Sequence, residues 1–147
     1  MKTLIRNLVA NHAGFAPLFL RVPVGLILMA HGSQKLFGLF GGYGLAGTGQ
    51  YMASLGLNPG ELMAGMAGSA EFFGGLFLLL GLLIRPAATV VAFTMLVAIA
   101  TVHIHNGLFM ANNGYEYALA LAVVAASLVV SGAGRVSLDN IINRKLA

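Results

Sequence analysis

The sequence predicts an all-α, polytopic membrane protein: a four-helix bundle with short amphipathic helices at its flanks. Four apolar stretches, at about residues 18–37, 62–83, 86–103 and 115–131, fill most of the 147-residue chain. None shows the period-two alternation or polar lumen face of a membrane barrel strand, whereas a helix satisfies its own backbone in lipid. Ionisable residues fall at the stretch ends or at a few positions inside them. Hydrophobic residues make up 59% and charged residues 8% of the chain, far below the roughly 25% charged content of soluble domains.

Residues 1–13 come first. Leu4, Ile5, Leu8 and Val9 recur at helical spacing opposite Lys2, Arg6, Asn7 and Asn11, which predicts an amphipathic helix lying on a membrane surface. This polar, basic start and the lack of a small-residue cleavage site argue against a signal peptide, so the first apolar helix is expected to stay. That helix carries His31 and Lys35 one turn apart on one face, beside Gln34. Arg21, at its start, reads as a snorkelling anchor.

Between Gly38 and Gly60 lies the only long segment expected outside the membrane, a Gly-rich loop with a short helical pattern around residues 50–55. Its Gly42-Tyr43-Gly44-Leu45-Ala46-Gly47 is formally G-x-G-x-x-G. A dinucleotide site is rejected, because the motif follows an apolar helix instead of a strand. The reading is a flexible loop able to cover the adjoining end of the bundle.

The second apolar helix places Glu71 near the bilayer midplane, on a face with Gly68 and Gly75 that invites close approach of another helix. The third ends at His103 and His105, whose i,i+2 spacing allows only one of them to join a given site while the helix lasts. The fourth opens with Glu116, three residues after Asn113, which is also the spacing of a capping box. The last two helices are slightly short and suit a thin bilayer or an upright orientation. After the Ser131-Gly132-Ala133-Gly134 break, Leu138, Ile141, Ile142 and Leu146 oppose Asp139, Asn143, Arg144 and Lys145, a second amphipathic flank with Ser137 as its N-cap. The whole chain, 1–147, is expected to be one domain.

The pI of 9.9 does not point to nucleic acid, because the basic residues follow the membrane instead of forming a patch. Lys2, Arg6, Arg21, Arg85, Arg135, Arg144 and Lys145 fall on one side of the predicted spans and Lys35 alone on the other. The positive-inside rule then puts both termini in the cytoplasm. Cysteine is absent, which removes disulfides, thiolate metal sites and dithiol relays.

Ionisable groups at membrane depth are candidate functional sites. His31, Lys35, Glu71 and His103 form the core of one predicted polar pocket, with Glu116 peripheral. The bland alternative is a clasp in which Glu71 pairs with His31 or Lys35 to lock two helices. Histidine and carboxylate also suit zinc or iron, but no H-E-x-x-H spacing occurs and no metal site is assigned.

Arg21-x3-Gly25, His31-Gly32-x2-Lys35-Leu36, Glu71-x2-Gly74-Gly75-x5-Gly81-x3-Arg85, His103, Glu116 and Gly132-x-Gly134-x2-Ser137-Leu138-Asp139 together resemble the DoxX family of small four-helix bacterial membrane proteins. The resemblance spans about residues 18–139 and implies a bacterial cytoplasmic (inner) membrane address. It also implies association with redox assemblies, through members tied to DoxD-type subunits of a thiosulfate:quinone oxidoreductase. The expectation is therefore an accessory or quinone-interacting subunit, with a protein partner or a second copy alongside. The alternative is a non-enzymatic scaffold, an assembly factor, or a small-solute or metal-handling protein.

Overall fold

A computed structural model describes residues 14–146; the expected N-terminal amphipathic helix lies outside the described residues. Helix α1 spans Ala16–Phe37, α2 Gly44–Ser54, α3 Gly60–Leu80, α4 Ile84–Ala98, α5 Glu116–Ser131 and α6 Leu138–Leu146, with no strand among the described residues. Helix α4 runs on through a widened π-helical turn, Ile99–His103, and a 3₁₀ turn, Ile104–Asn106. Among the described residues three helices are long and apolar enough to cross a membrane: Ala16–Phe37, Gly60–Leu80 and Ile84–Asn106. Helix α5 is apolar but has 16 residues, about 24 Å of rise against a hydrocarbon core of about 30 Å.

The residues just before α1 and just after α5 meet at one end of the bundle, where the Arg135 N–H donates to the Gly14 carbonyl at 2.9 Å. Connections 38–43 and 107–115 lie at the opposite end, called here the loop end. Leu28, Leu78, Ile84, Val91, Ala125 and Leu128 form the buried centre. Phe19, Phe93 and Val130 are exposed at 75%, 66% and 78%. In a protein folded in lipid, such outward apolar side chains meet acyl chains and need no further cover.

Glycine sets how closely α1 and α3 pack. A methyl group added to Gly25 would stand 2.7 Å from the Gly75 carbonyl, and one on Gly75 would stand 2.6 Å from the Gly25 carbonyl. Backbone therefore touches backbone, the packing mode favoured where no hydrophobic effect drives helices together. The same holds two turns nearer the loop end, where a methyl on Gly32 would meet the Gly68 carbonyl at 2.7 Å.

Helix boundaries follow local chemistry. Helix α3 stops at Leu80, short of the expected 83, because Gly81 takes a left-handed conformation with φ +62° and ends it. Helix α4 begins at Ile84, earlier than the expected 86, since Pro86 is tolerated in a first turn where its missing N–H has no helical acceptor. The loop expected to be flexible holds an 11-residue helix, α2, longer than the 50–55 pattern. It packs on α3 through Gly49, where an added methyl would lie 2.7 Å from Glu61 Cγ.

Two readings of charged residues need correction. Arg21 is 2% exposed and not a snorkelling anchor. Its guanidinium donates to the carbonyls of Ala133 at 3.0 Å, Leu78 at 3.0 Å, Leu79 at 2.5 Å and Val136. Leu78 and Leu79 belong to the last turn of α3, whose carbonyls lack the usual i+4 partners, Leu78 taking only the Gly81 N–H at 3.1 Å, and carry the negative end of the helix dipole. Asp139 likewise belongs to no solvated helix face. It is fully buried, and its two oxygens accept the N–H groups of Leu83 at 2.7 Å and Ile84 at 2.9 Å, at the start of α4. Ser137 does cap α6, accepting the Asn140 N–H at 3.1 Å.

Burial pushes the Asp139 carboxyl above its ordinary value, and the N–H groups of Ile84 and Leu83 and the charge of Arg21 only partly oppose this. Between the unfolded and the raised folded value, the native state holds the proton more tightly. Stability is therefore expected to fall as pH rises through that window, with the penalty absent below it and complete above it. Asp139→Ala should lower the detergent melting temperature, because an orphaned buried N–H costs about 1–3 kcal/mol. Asp139→Asn, which keeps one acceptor oxygen, should fall between, and both variants should lose the acid-range slope. An unchanged melting temperature in the alanine variant would refute the capping role.

Candidate functional site

Helices α1 to α5 line a cavity of about 1060 Å³ that runs from Leu83 and Pro86 to His103 and Asn113 at the loop end. Most of its wall is apolar, and His31, Lys35, Glu71, His103 and Tyr117 contribute polar groups. Each is placed by its helix. His31 and Lys35 share a face of α1, one turn apart, and Gly32 between them lets α3 approach. Glu71 shares the buried stripe of α3 with Ala64, Gly68, Gly75 and Leu78. The result is an ion pair, Lys35 Nζ to Glu71 Oε2 at 2.6 Å. The Glu71 side chain is 7% exposed and that of Lys35 26%. The carboxylate is thus withdrawn into the bundle, while the ammonium reaches toward the loop end.

The rings of His31 and Tyr117 lie 6.0 Å apart at a tilt of 55°. Tyr117 was missed in the sequence, although it follows Glu116 at the head of an apolar helix, where a lone phenol is as unusual in lipid as a lone acid. Thr48 and Tyr51 were missed too: α2 brings both to the cavity, and its extent was not legible in a Gly-rich segment.

His103 ends the π-helical turn, and its Nδ1 lies 2.8 Å from the Asn113 carbonyl. A carbonyl only accepts, so Nδ1 carries the proton and Nε2 is the basic nitrogen of the neutral ring. Asn106 donates to the same carbonyl at 3.2 Å. His105 is exposed and absent from the cavity wall, as the i,i+2 spacing implied. Glu116 also stands outside the wall and makes no capping box with Asn113. Its carboxylate accepts the Met110 N–H at 2.6 Å, at the start of the 3₁₀ turn Met110–Asn112, where unpaired N–H groups attract a carboxylate. Among the described residues no three His, Asp or Glu side chains converge as a metal-ligand set.

A second cavity, of about 680 Å³, lies beside the first at the loop end and is lined by Gln34, Gly42, Tyr43 and Gln50. Lys35, Thr48 and Tyr51 line both. The Gly42 to Gly47 motif contributes to this vestibule and to the first turn of α2, with no strand preceding it.

The pairing of Lys35 with Glu71 is open to a direct test. Lys35→Met strands a nearly buried carboxylate and should lower the melting temperature in detergent. Adding Glu71→Gln should recover part of the loss, with a coupling of about 0.5–3 kcal/mol as found for residues in contact. Strictly additive effects would mean that the two charges do not support each other.

The family pattern described as DoxX matches residues 16–104. A protein of Bacillus subtilis (strain 168) named "Putative oxidoreductase CatD" is 33% identical over 122 residues, 83% of each chain. A Haemophilus influenzae (strain ATCC 51907 / DSM 11121 / KW20 / Rd) protein named "Uncharacterized protein" is 34% identical over 125 residues, 83% of this chain and 87% of that one. No solved structure matches the chain. With the family pattern covering helices α1 to α4 and the relatives covering most of the chain, this multi-pass membrane protein belongs to the DoxX family.

Proposed function

We propose that the large cavity binds a quinone ring, and that the chain is a quinone-interacting subunit of a membrane oxidoreductase system in the bacterial cytoplasmic membrane. The observation that carries this reading is a largely apolar cavity of about 1060 Å³ that includes the Lys35–Glu71 pair, His31 and Tyr117 in its wall. Ligand sites combine this much apolar wall with a few convergent polar groups. A quinone carbonyl needs donors, which the Lys35 ammonium and the Tyr117 hydroxyl supply. Its conversion to the quinol takes two electrons and two protons. The electrons come from a partner oxidoreductase subunit, since a chain without cysteine has no thiolate ligands for an iron–sulfur cluster. In this reading Glu71 and His31, both in the cavity wall, exchange the protons. The Bacillus relative with oxidoreductase in its name supports the redox class.

The second reading, a scaffold whose polar groups only clasp α1 to α3, is favoured by the completed ion pair alone. Binding separates the two. A tailless dimethylnaphthoquinone, fully substituted so that Lys35 cannot add to it, should bind the purified protein saturably in equilibrium dialysis. Lys35→Met and Tyr117→Phe should each weaken that binding by at least about tenfold while the folded protein persists, because each removes a donor to a ring carbonyl. Absence of saturable binding would leave the scaffold.

The same reading puts both termini in the cytoplasm. Cysteine introduced in place of Tyr43, which is 85% exposed at the loop end, should react with an impermeant reagent added outside the cell. Cysteine at Asn143 should react only after lysis. The opposite pattern would invert the topology.

A further inference from the structure

The large cavity is not closed on the side between α3 and α4. Along that side its border is formed by Met66 and Phe73 of α3 and Val90 and Phe93 of α4, which are 60%, 50%, 49% and 66% exposed. Among the residues between them the wall includes small ones, Ala67, Ala70, Gly74, Ala87 and Ala98, beside the larger Phe77, Met95 and Val97. Exposed apolar rims on either side of this largely apolar wall make a trough facing lipid. Its depth is set by one close contact: a methyl on Gly74 would stand 2.7 Å from Val91 Cγ2, so α3 and α4 touch at that level.

The trough is long. Its α4 wall runs from Pro86 to His103, about 26 Å at helical rise, most of a hydrocarbon core of about 30 Å. It is also large, since roughly 150 Å³ holds a benzene-sized ring and the cavity has about 1060 Å³. A ring seated at Lys35 and Glu71 leaves most of that space to be filled by something apolar and elongated.

We infer that the site takes a quinone carrying a long apolar tail, admitted sideways from the bilayer between α3 and α4, with the tail lying in the trough past Phe73, Val90 and Phe93. This rests on the quinone reading above and adds the class of quinone and its route. The competing route is the vestibule lined by Gln34, Gly42 and Gln50, which suits a small water-soluble ring. The extent of apolar wall on the lipid side decides between them.

The bilayer is as apolar as the trough, so the tail adds little affinity by leaving lipid. What it adds is a steric requirement, and the test is built on that. Val90→Trp and Thr94→Trp fill the trough at partly exposed positions away from the polar groups. In nanodiscs, with ligand concentrations referred to the bilayer, each should weaken a naphthoquinone with a four-isoprene tail by at least about tenfold. The tailless dimethylnaphthoquinone should change by less than about twofold.

If both ligands keep their affinity in both variants, the tail does not lie in the trough and the inference fails while the ring site stands. If neither ligand binds the unsubstituted protein, the quinone reading fails and takes this inference with it. A second copy of the chain is the remaining occupant. Because the protein has no cysteine of its own, Phe93→Cys reports on that directly. Rapid disulfide crosslinking between copies through this position would assign the trough to an interface and overturn the proposal. The expected result is a thiol that stays uncrosslinked and is shielded from a lipid-soluble maleimide by the tailed quinone only.

Discussion

The constraint on which this fold depends is the turn between α3 and α4. A tight reversal at the end of two apolar helices leaves the last carbonyls of one and the first N–H groups of the other without helical partners, in surroundings where little water is at hand to replace them. The chain meets both needs with full charges from distant segments. Arg21 of α1 takes the carbonyls of Leu78 and Leu79, and Asp139 of α6 takes the N–H groups of Leu83 and Ile84. Each charge also matches the sign of the helix dipole it faces. Arg21 reaches the carbonyls of Ala133 and Val136 as well, so the start of α1, the turn and the segment after α5 are fixed by one guanidinium.

That anchor bears on the loop end. With α3 held at its last turn and backed against α1 along Gly25, Gly32, Gly68 and Gly75, Glu71 meets Lys35 at 2.6 Å. The glycines thereby position one wall of the cavity. Helix α4 meets α3 at Gly74 and Val91, on another side of α3, and the space between them is the trough. Close packing on one face of α3 and an opening on another are two consequences of where glycine falls along the same helix.

Much of this was legible in the sequence. Apolar length gave the helices, and the price of an isolated charge in lipid singled out His31, Lys35, Glu71 and His103, all four of which line one cavity. Arg21 and Asp139 were misread because the same rule was applied too locally. A charge near a helix end resembles a solvated anchor, and only the tertiary fold reveals that its partners are backbone groups of another helix. Glu116 was misplaced for a similar reason: its nearest need was the Met110 N–H, six residues back, in a 3₁₀ turn that no periodicity announces. Helix α2 was shortened by its glycines, whose low helix propensity is overridden by packing against the start of α3.

On the proposed reading, the two openings divide the work of a redox site. The trough faces lipid and is apolar, which suits a tailed ring and excludes ions. The vestibule is rich in glycine and amide groups, and Lys35 lines it as well as the main cavity. A ring oxygen that gains electrons needs positive charge nearby and then a proton. An ammonium already paired with a carboxylate meets both needs, because as charge grows on the ring Lys35 can turn from Glu71 to that oxygen without ever being left unpaired. The ring itself comes and goes through lipid, while the vestibule keeps Lys35 open to the loop side. A pair of neutral hydrogen-bonding residues could hold the same two helices together, but it would offer no positive charge to the ring.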